Sequence, residues 1–278
     1  VIAKAPFWHT LPDPHGHADA GRFILPVTRP ATVGPDGNPF VMGGVALAAG
    51  IDALQQASEM PLLWATIQFL APSHGAETLE ISCEQLGGGR SIGQWAVDIT
   101  SGERHFQRIS AAVGAREPSD SHIFARMPAV PHPDDLEQKL PDPNGTDDNL
   151  IGQVERRVAL DDPDRGIEAV WTRSRAGFAL DAPFLALVSD FFLGAHPRTR
   201  TGSSLDATFR FIQAAPPGWV LTVTELAAFD RGTVSGQARH YAEDGTLLAI
   251  SSQTGVLPRV PVEHWEPDSA IGGAIGNA

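Results

Sequence analysis

Residues 181–193 read DAPFLALVSDFFL, an apolar stretch with a carboxylate, Asp190, set near its C-terminal end. Asp181 is of the type that caps a helix N-terminus, and Pro183 falls in the first turn, where its missing N–H costs little. Gly194 and Pro197 follow as stop signals. A helix over 181–193 has almost no polar face, so it is buried in a core or embedded in a membrane. At 13 residues it falls short of the roughly 20 needed to span a bilayer. The expectation is a core helix holding a carboxylate, and a buried carboxylate needs partners or a function.

The surrounding chain fits a folded, turn-rich protein. Of 278 residues 42% are hydrophobic, and 28 glycines and 23 prolines supply many turns. The net charge of −13, without a run of Lys or Arg, argues against nucleic acid and anionic membrane surfaces as partners. The single cysteine, Cys83, excludes an internal disulfide framework and reads as a packed small residue. No N-terminal signal pattern is visible, so a cytoplasmic location is expected.

Gly43–Ala57 reads as a second apolar helix, opened by the diglycine Gly43-Gly44. Alternation predicts strands at 22–27, 62–70, 79–85, 94–100 and 106–115, with turns at Pro72, Gly87-Gly88-Gly89 and Ser101-Gly102. Residues 116–150 are Pro- and Asp-rich and read as a linker. Strands at 151–159 and 167–173 precede the 181–193 helix, and strands at 208–212, 219–225, 233–242 and 247–256 follow it. The sequon Asn144-Gly145-Thr146 reads as a turn.

The order of elements repeats across the linker, and residues repeat with it. Ala65-Thr66-x-x-Phe69 matches Ala207-Thr208-x-x-Phe211 at an offset of 142. Gly93-Gln94 matches Gly236-Gln237, and Gly102 matches Gly245, both at 143; Ile109-Ser110-x-x-x-Gly114 matches Ile250-Ser251-x-x-x-Gly255 at 141. Four ordered matches at nearly one offset indicate a duplicated domain. The period is too long for a repeat array of 20–50 residues. The fold class is α+β, with a domain at 1–115, a linker at 116–150 and a domain with a tail at 151–278.

One long helix followed by an antiparallel sheet, twice in one chain, resembles the double hotdog fold, and the details resemble the TesB-like acyl-CoA thioesterase family. In the first half these are Gly43-Gly44, the strand end Thr66-Ile67-Gln68-Phe69-Leu70-Ala71-Pro72 and the turn Gly89-Arg90-Ser91. In the second they are Leu187-Val188-Ser189-Asp190-Phe191, Gly245 and Ser252-Gln253-Thr254-Gly255-Val256. The likeness covers roughly 40–115 and 165–258. It implies a helix aspartate at Asp190, a strand hydroxyl at Ser204, where the family usually has threonine, and a last-strand glutamine at Gln253. The residues matched to Gln253 and Ser204 in the first half are Ala112 and Leu62, so one competent site per chain is expected. Taken alone, each residue has a plain reading. Asp190 could end a helix in solvent, Gln253 could sit on an edge strand, and Ser204 lies in Thr201-Gly202-Ser203-Ser204, a loop-like stretch.

What the resemblance implies is hydrolysis of acyl-CoA thioesters, with water activated by Asp190, Ser204 and Gln253 and with no metal or organic cofactor. A carboxylate in an apolar helix has its pKa raised by burial and can accept a proton from water. Arg90, Arg198, Arg200 and Arg231 are candidates to meet CoA phosphates. The alternatives are a hotdog protein that binds acyl groups without hydrolysis, and a hydratase or dehydratase on the same fold. The hydratase pattern of an aspartate, an asparagine two on and a histidine five on fails here, because position 192 is Phe and His196 is six away. No G-x-S-x-G elbow or phosphate-binding loop occurs. His15-x-His17 lies in a Pro/Gly loop and reads as exposed rather than metal-ligating. Sheet edges of this fold pair between subunits, so a homodimer is expected.

Overall fold

The computed structural model describes residues 5–15, 21–115, 120–139 and 146–258. His17, Asn144 and Gly145 lie outside them, as does the tail beyond 258.

Twelve strands form one antiparallel sheet. The first half contributes β1 (Leu11–Pro12), β2 (Arg22–Pro26), β5 (Leu62–Phe69), β6 (Thr78–Gly88), β7 (Ile92–Ser101) and β8 (Arg104–Gly114). A small separate ladder pairs β3 (Thr32–Val33) with β4 (Phe40–Val41). The second half contributes β9 (Val154–Asp162), β10 (Ile167–Ser174), β11 (Ser203–Phe211), β12 (Val220–Asp230), β13 (Thr233–Ala242) and β14 (Leu247–Val256). The strand order is β1-β2-β6-β7-β8-β5-β11-β14-β13-β12-β10-β9, a palindrome about the β5–β11 junction. At that junction Thr66 pairs with Thr208, its own repeat mate, and their hydroxyls meet at 3.0 Å. An approximate two-fold axis passes through this pair.

The sheet wraps two helices, α1 (Gly43–Ser58) and α3 (Ala182–Ser189), while α2 (Leu150–Gln153) is a single turn. Ala, Leu and Gln favour a helix in α1, and Glu59 ends it in the left-handed region. Its apolar face is buried against β6, β7 and β8, where Leu79, Ile81, Val97, Ile99 and Ile109 are all at most 1% exposed. Gly50 permits this contact: a Cβ there would come within 2.6 Å of Ile109 Cδ1. Helix α3 is capped as its sequence implies, with Phe184 N–H donating to Asp181 Oδ1 at 3.0 Å. The two helices also pack on each other, so a single core contains both.

The structure corrects several expectations. The 181–193 helix is α-helical only to Ser189 and continues as a 3-10 turn over Asp190–Ala195. The strand expected at 151–159 begins as the helical turn α2, because Asn149 Oδ1 caps Ile151 N–H at 3.0 Å. The strand expected at 208–212 starts five residues earlier, which places Ser204 in β11 rather than in a loop. Gly87 and Gly88 continue the ladder opposite Gln94 and Gly93, so the turn begins only at Gly89. The stretch read as a linker is not a free tether. Trp171 Nε1–H donates to Pro131 O, Tyr241 O–H donates to Arg126 O, and Ala125, Met127, Val130 and Leu136 pack on Trp171, Trp219 and Leu221. A Pro-rich segment with little periodicity can still seal the outer face of a sheet through scattered apolar residues.

The ladders also correct one repeat assignment. Ala65 pairs with Ala111 in β8 as Ala207 pairs with Gln253 in β14, so the mate of Gln253 is Ala111 rather than Ala112. The Ile109/Ile250 match pairs residues on opposite faces, since Ile109 packs inward on α1 and Ile250 packs with Trp171 outside. A one-residue slip reverses a strand's faces, and chance identity misled the alignment. The mate of Ser204 is Leu62 as expected: Leu62 pairs with Val113 and Ser204 with Gly255, each beside a bulge.

Candidate active site

Asp190 occupies the joint where α3 tightens into the 3-10 turn. Its φ of −79° and ψ of 0° lie in the sparsely populated bridge region, and its N–H reaches both Leu187 O and Val188 O. This backbone directs the carboxylate away from the apolar face of α3, toward β11, β14 and the N-terminus of α1. Ser204 comes from the first residues of β11 and Gln253 from the inward face of β14, on the next strand.

The three converge. Gln253 Nε2–H donates to Asp190 Oδ1 at 3.0 Å and to Ser204 Oγ at 2.7 Å, and Ser204 O–H donates to Asp190 Oδ1 at 3.3 Å. Gln253 is 4% exposed, so its amide has little water to turn to. The other carboxylate oxygen, Oδ2, accepts the Gly44 N–H at 2.6 Å. This donor comes from the first half of the chain. Burial raises Asp190 from 3.8 to about 6, against the lowering effect of the Gln253, Gly44 and Ser204 bonds.

The diglycine has a local reason. Met42, at the N-cap of α1, offers no side-chain acceptor, so the opening N–H groups are left for other partners. A Cβ on Gly44 would lie 2.7 Å from both Asp190 Cβ and Leu187 O, and one on Gly43 would lie 2.4 Å from Phe69 Cε1. Only glycines let the helix end approach this closely. Gln107, 4% exposed, donates from Nε2 to Gly43 O at 2.9 Å and holds the end in place. Sequence reasoning noticed the diglycine but did not connect it to Asp190; a doubled glycine at an uncapped helix start was the available signal. Gln107 left no signal.

Other residues singled out by sequence fall elsewhere. Cys83 is buried, and desolvation pushes its thiol up to about 12, so it is packed and unreactive. His196 is 1% exposed with its ring 4.9 Å from Phe229. Phe192, where a hydratase would carry its asparagine, is buried in the core. Arg198 stacks on Phe229 and Arg231 pairs with Asp230 at 2.9 Å. A cleft of about 380 Å³ lined by Glu155, Arg173, Ser174, Arg175, Gly177, Pro217 and Gly218 holds none of the converging residues. Among the described residues no group of three or more His, Cys, Asp or Glu could hold a metal, and no helix is long and apolar enough to cross a membrane.

Residues 131–257 match the family model described as acyl-CoA thioesterase C-terminal domain, a range that contains Asp190, Ser204 and Gln253. No curated protein matches the chain in sequence. Among solved structures, one from Novosphingobium aromaticivorans, provisionally named a thioesterase, is 29% identical, with a TM-score of 0.80 over 87% of this chain and 97% of that one. A hot dog fold protein of unknown function from Alicyclobacillus acidocaldarius is 20% identical (TM-score 0.76, 91% and 97% covered). Acyl-CoA thioesterase II TesB2 from Mycobacterium marinum is 18% identical (TM-score 0.70, 86% and 93% covered). The last two show a shared double hotdog fold.

Proposed function

We propose that the chain, whose residues 131–257 match the acyl-CoA thioesterase C-terminal domain, is a TesB-like thioesterase that hydrolyses acyl-CoA thioesters at a single site built around Asp190. The observation that carries this reading is the convergence of Gln253, Ser204 and Gly44 N–H on one carboxylate that burial has made basic. Asp190 takes a proton from water as the water oxygen attacks the thioester carbonyl carbon. Gln253 and Ser204 fix the carboxylate's orientation and, through their remaining lone pairs and protons, that of the water. The Gly43 N–H, first in α1 and without an intrahelical acceptor, is placed to receive the developing oxyanion at the positive end of the helix. Collapse of the tetrahedral intermediate breaks the C–S bond, and the proton on Asp190 passes to the departing CoA thiolate. Every group required comes from the chain itself.

The test is release of free CoA, followed with a thiol reagent over a panel of acyl-CoAs, for the wild type and for Asp190→Asn and Gln253→Ala. Turnover unchanged in both variants would end this assignment. Acyl-CoA binding without CoA release would favour a protein that carries acyl groups and leaves them intact.

A further inference from the structure

Beside Gln253, the inner face of the sheet carries a second buried glutamine, contributed by the other half at a place that does not correspond. Gln253 lies on β14, and its ladder mate in the first half is Ala111. Gln107 lies on β8 opposite Phe69, whose mate Phe211 pairs with Ala249. Both glutamines are 4% exposed, and both alanines are buried. In the order β8-β5-β11-β14 the two strands flank the β5–β11 junction. The glutamines therefore reach the site from opposite halves of the protein.

They act on the two oxygens of one carboxylate by different routes. Gln253 Nε2–H donates directly to Asp190 Oδ1 at 3.0 Å. Gln107 Nε2–H donates to Gly43 O at 2.9 Å. That carbonyl belongs to the peptide group whose N–H, on Gly44, donates to Asp190 Oδ2 at 2.6 Å. A peptide group is planar, so a donor held on its C=O side fixes the direction of the N–H on the other. Glycine on both flanks widens the orientations open to this plane, and the Gln107 bond narrows them. A donor on the carbonyl also polarises the amide and strengthens its N–H as a donor in turn. Gln107 Oε1, meanwhile, is out of contact with solvent and has no hydrogen-bond partner among the described residues. Burying an amide with one end unmet is costly, and alanine fills the mated place without that cost. Packing alone leaves the glutamine unexplained.

We infer that Gln107 is a second positioning glutamine, which sets the orientation and basicity of Asp190 through the Gly43–Gly44 peptide. The role rests on the assignment of Asp190 as the base of a thioesterase. The Gly44 bond favours the ionised carboxylate against the effect of burial, and no charged side chain is among the influences on Asp190. The charged and titratable groups of neighbouring elements are engaged elsewhere. Asp52 of α1 accepts from Thr10 and Gln56, Arg108 of β8 lies near Asp98, and Arg156 of β9 lies over the Phe191 ring. Asp206 of β11 precedes inward-facing Ala207 and so points to the other face of the sheet. His196, past the 3-10 turn, packs on Phe229. His240, in the polar lining beneath α3, is bonded to Thr222 and Ser251 at 3.0 Å each.

The experiment follows the Asp190 carboxyl carbon by NMR against pH in isotope-labelled protein, with the signal assigned by its absence in Asp190→Asn. In Gln107→Leu and Gln107→Met, which keep an apolar side chain of similar size, its midpoint is expected to move up by about 0.5–1 in pH. The rising limb of kcat/KM for CoA release should move with it. That is a loss of about three- to ten-fold on the acid side of the limb, carried by kcat, with a smaller loss on the plateau. In the wild type, which needs no variant to fold, the side-chain amide of Gln107 should titrate with the Asp190 midpoint. A Gln107 amide indifferent to that titration, or an Asp190 midpoint unmoved in a folded variant, overturns the inference and leaves the thioesterase assignment standing. A variant whose whole profile falls without a shift of its limb also overturns it, since loss of fold alone does that. If the midpoint moves but the wild type releases no CoA, the link from Gln107 to Asp190 stands and the thioesterase assignment fails.

Discussion

The two halves have the same architecture and make opposite use of the same places. In the second half Asp190, Ser204 and Gln253 meet, with Gly44 N–H completing the shell. The ladder mates of Ser204 and Gln253 are Leu62 and Ala111, both buried in the first-half core. Counted from the two N-caps, Met42 and Asp181, the mate of Asp190 is Ile51, fully buried, and the mate of Gly44 is Pro183, which has no N–H to give. Each element of the site thus has an apolar or donorless counterpart. The first half spends these positions on packing, and its helix N-terminus serves the second half's carboxylate. The second half's site cannot be understood alone, because one of its donors is encoded about 150 residues earlier.

This comparison can be broken most directly at the carboxylate. Asp190→Asn should lower kcat by about 10²- to 10⁴-fold, the range of a lost general base, while Ile51→Val at the mated position should leave CoA release unchanged. Equal effects would dissolve the asymmetry. Gln253→Ala should cost less, about ten- to a hundred-fold. Ser204→Thr, which keeps a hydroxyl at this position, should retain activity, and Ser204→Ala should reduce it.

The helix end offers a sharper test, since it crosses between the halves. Gly44→Ala places a Cβ against Asp190 and Leu187 O. It should lower both activity and thermal stability, the latter by about 1–3 kcal/mol. Pro183→Ala at the mated position should change stability by under about 1 kcal/mol and activity not at all, measured by thermal melts beside steady-state rates. A further effect, on stability and not on turnover, lies in the response to pH. The folded-state pKa of Asp190, about 6, exceeds its unfolded 3.8, so the folded protein holds the proton more tightly. The resulting cost is absent below about pH 3.8, grows as pH rises, and is complete above about pH 6. Asp190→Asn should therefore match the wild type in stability at the acid end and exceed it by up to about 3 kcal/mol at pH 8. Denaturant titrations at the two pH values measure the difference.

How much of this was legible in the sequence varies with the physics involved. The capping of α3 by Asp181 is local chemistry, and alternating strands follow from short-range rules, so both helices and most strands could be read. The Ala65-Thr66 and Ala207-Thr208 match, legible in the sequence only as a repeat, falls at the two-fold axis, where Thr66 faces Thr208. The register of β8 against β14 could not be read: Ile109 and Ile250 are identical in kind and point to opposite faces. The break of α3 at Ser189 escaped because tertiary bonds to Asp190, not helix propensity, decide it. The family resemblance nominated Asp190, Ser204 and Gln253, yet the Gly44 donor, the Gln107 clamp and the polar lining beneath α3 exist only once distant strands are paired. Long-range contacts leave no periodic trace.

The account's central claim is that a half-buried carboxylate at 190, with its pKa raised, is the base for hydrolysis. Its most direct test is the pH dependence of kcat/KM for CoA release between pH 4.5 and 8.5. The prediction is a single rising limb with an apparent pKa near 6, followed by a plateau. A flat profile, or one rising only near pH 8, would contradict it.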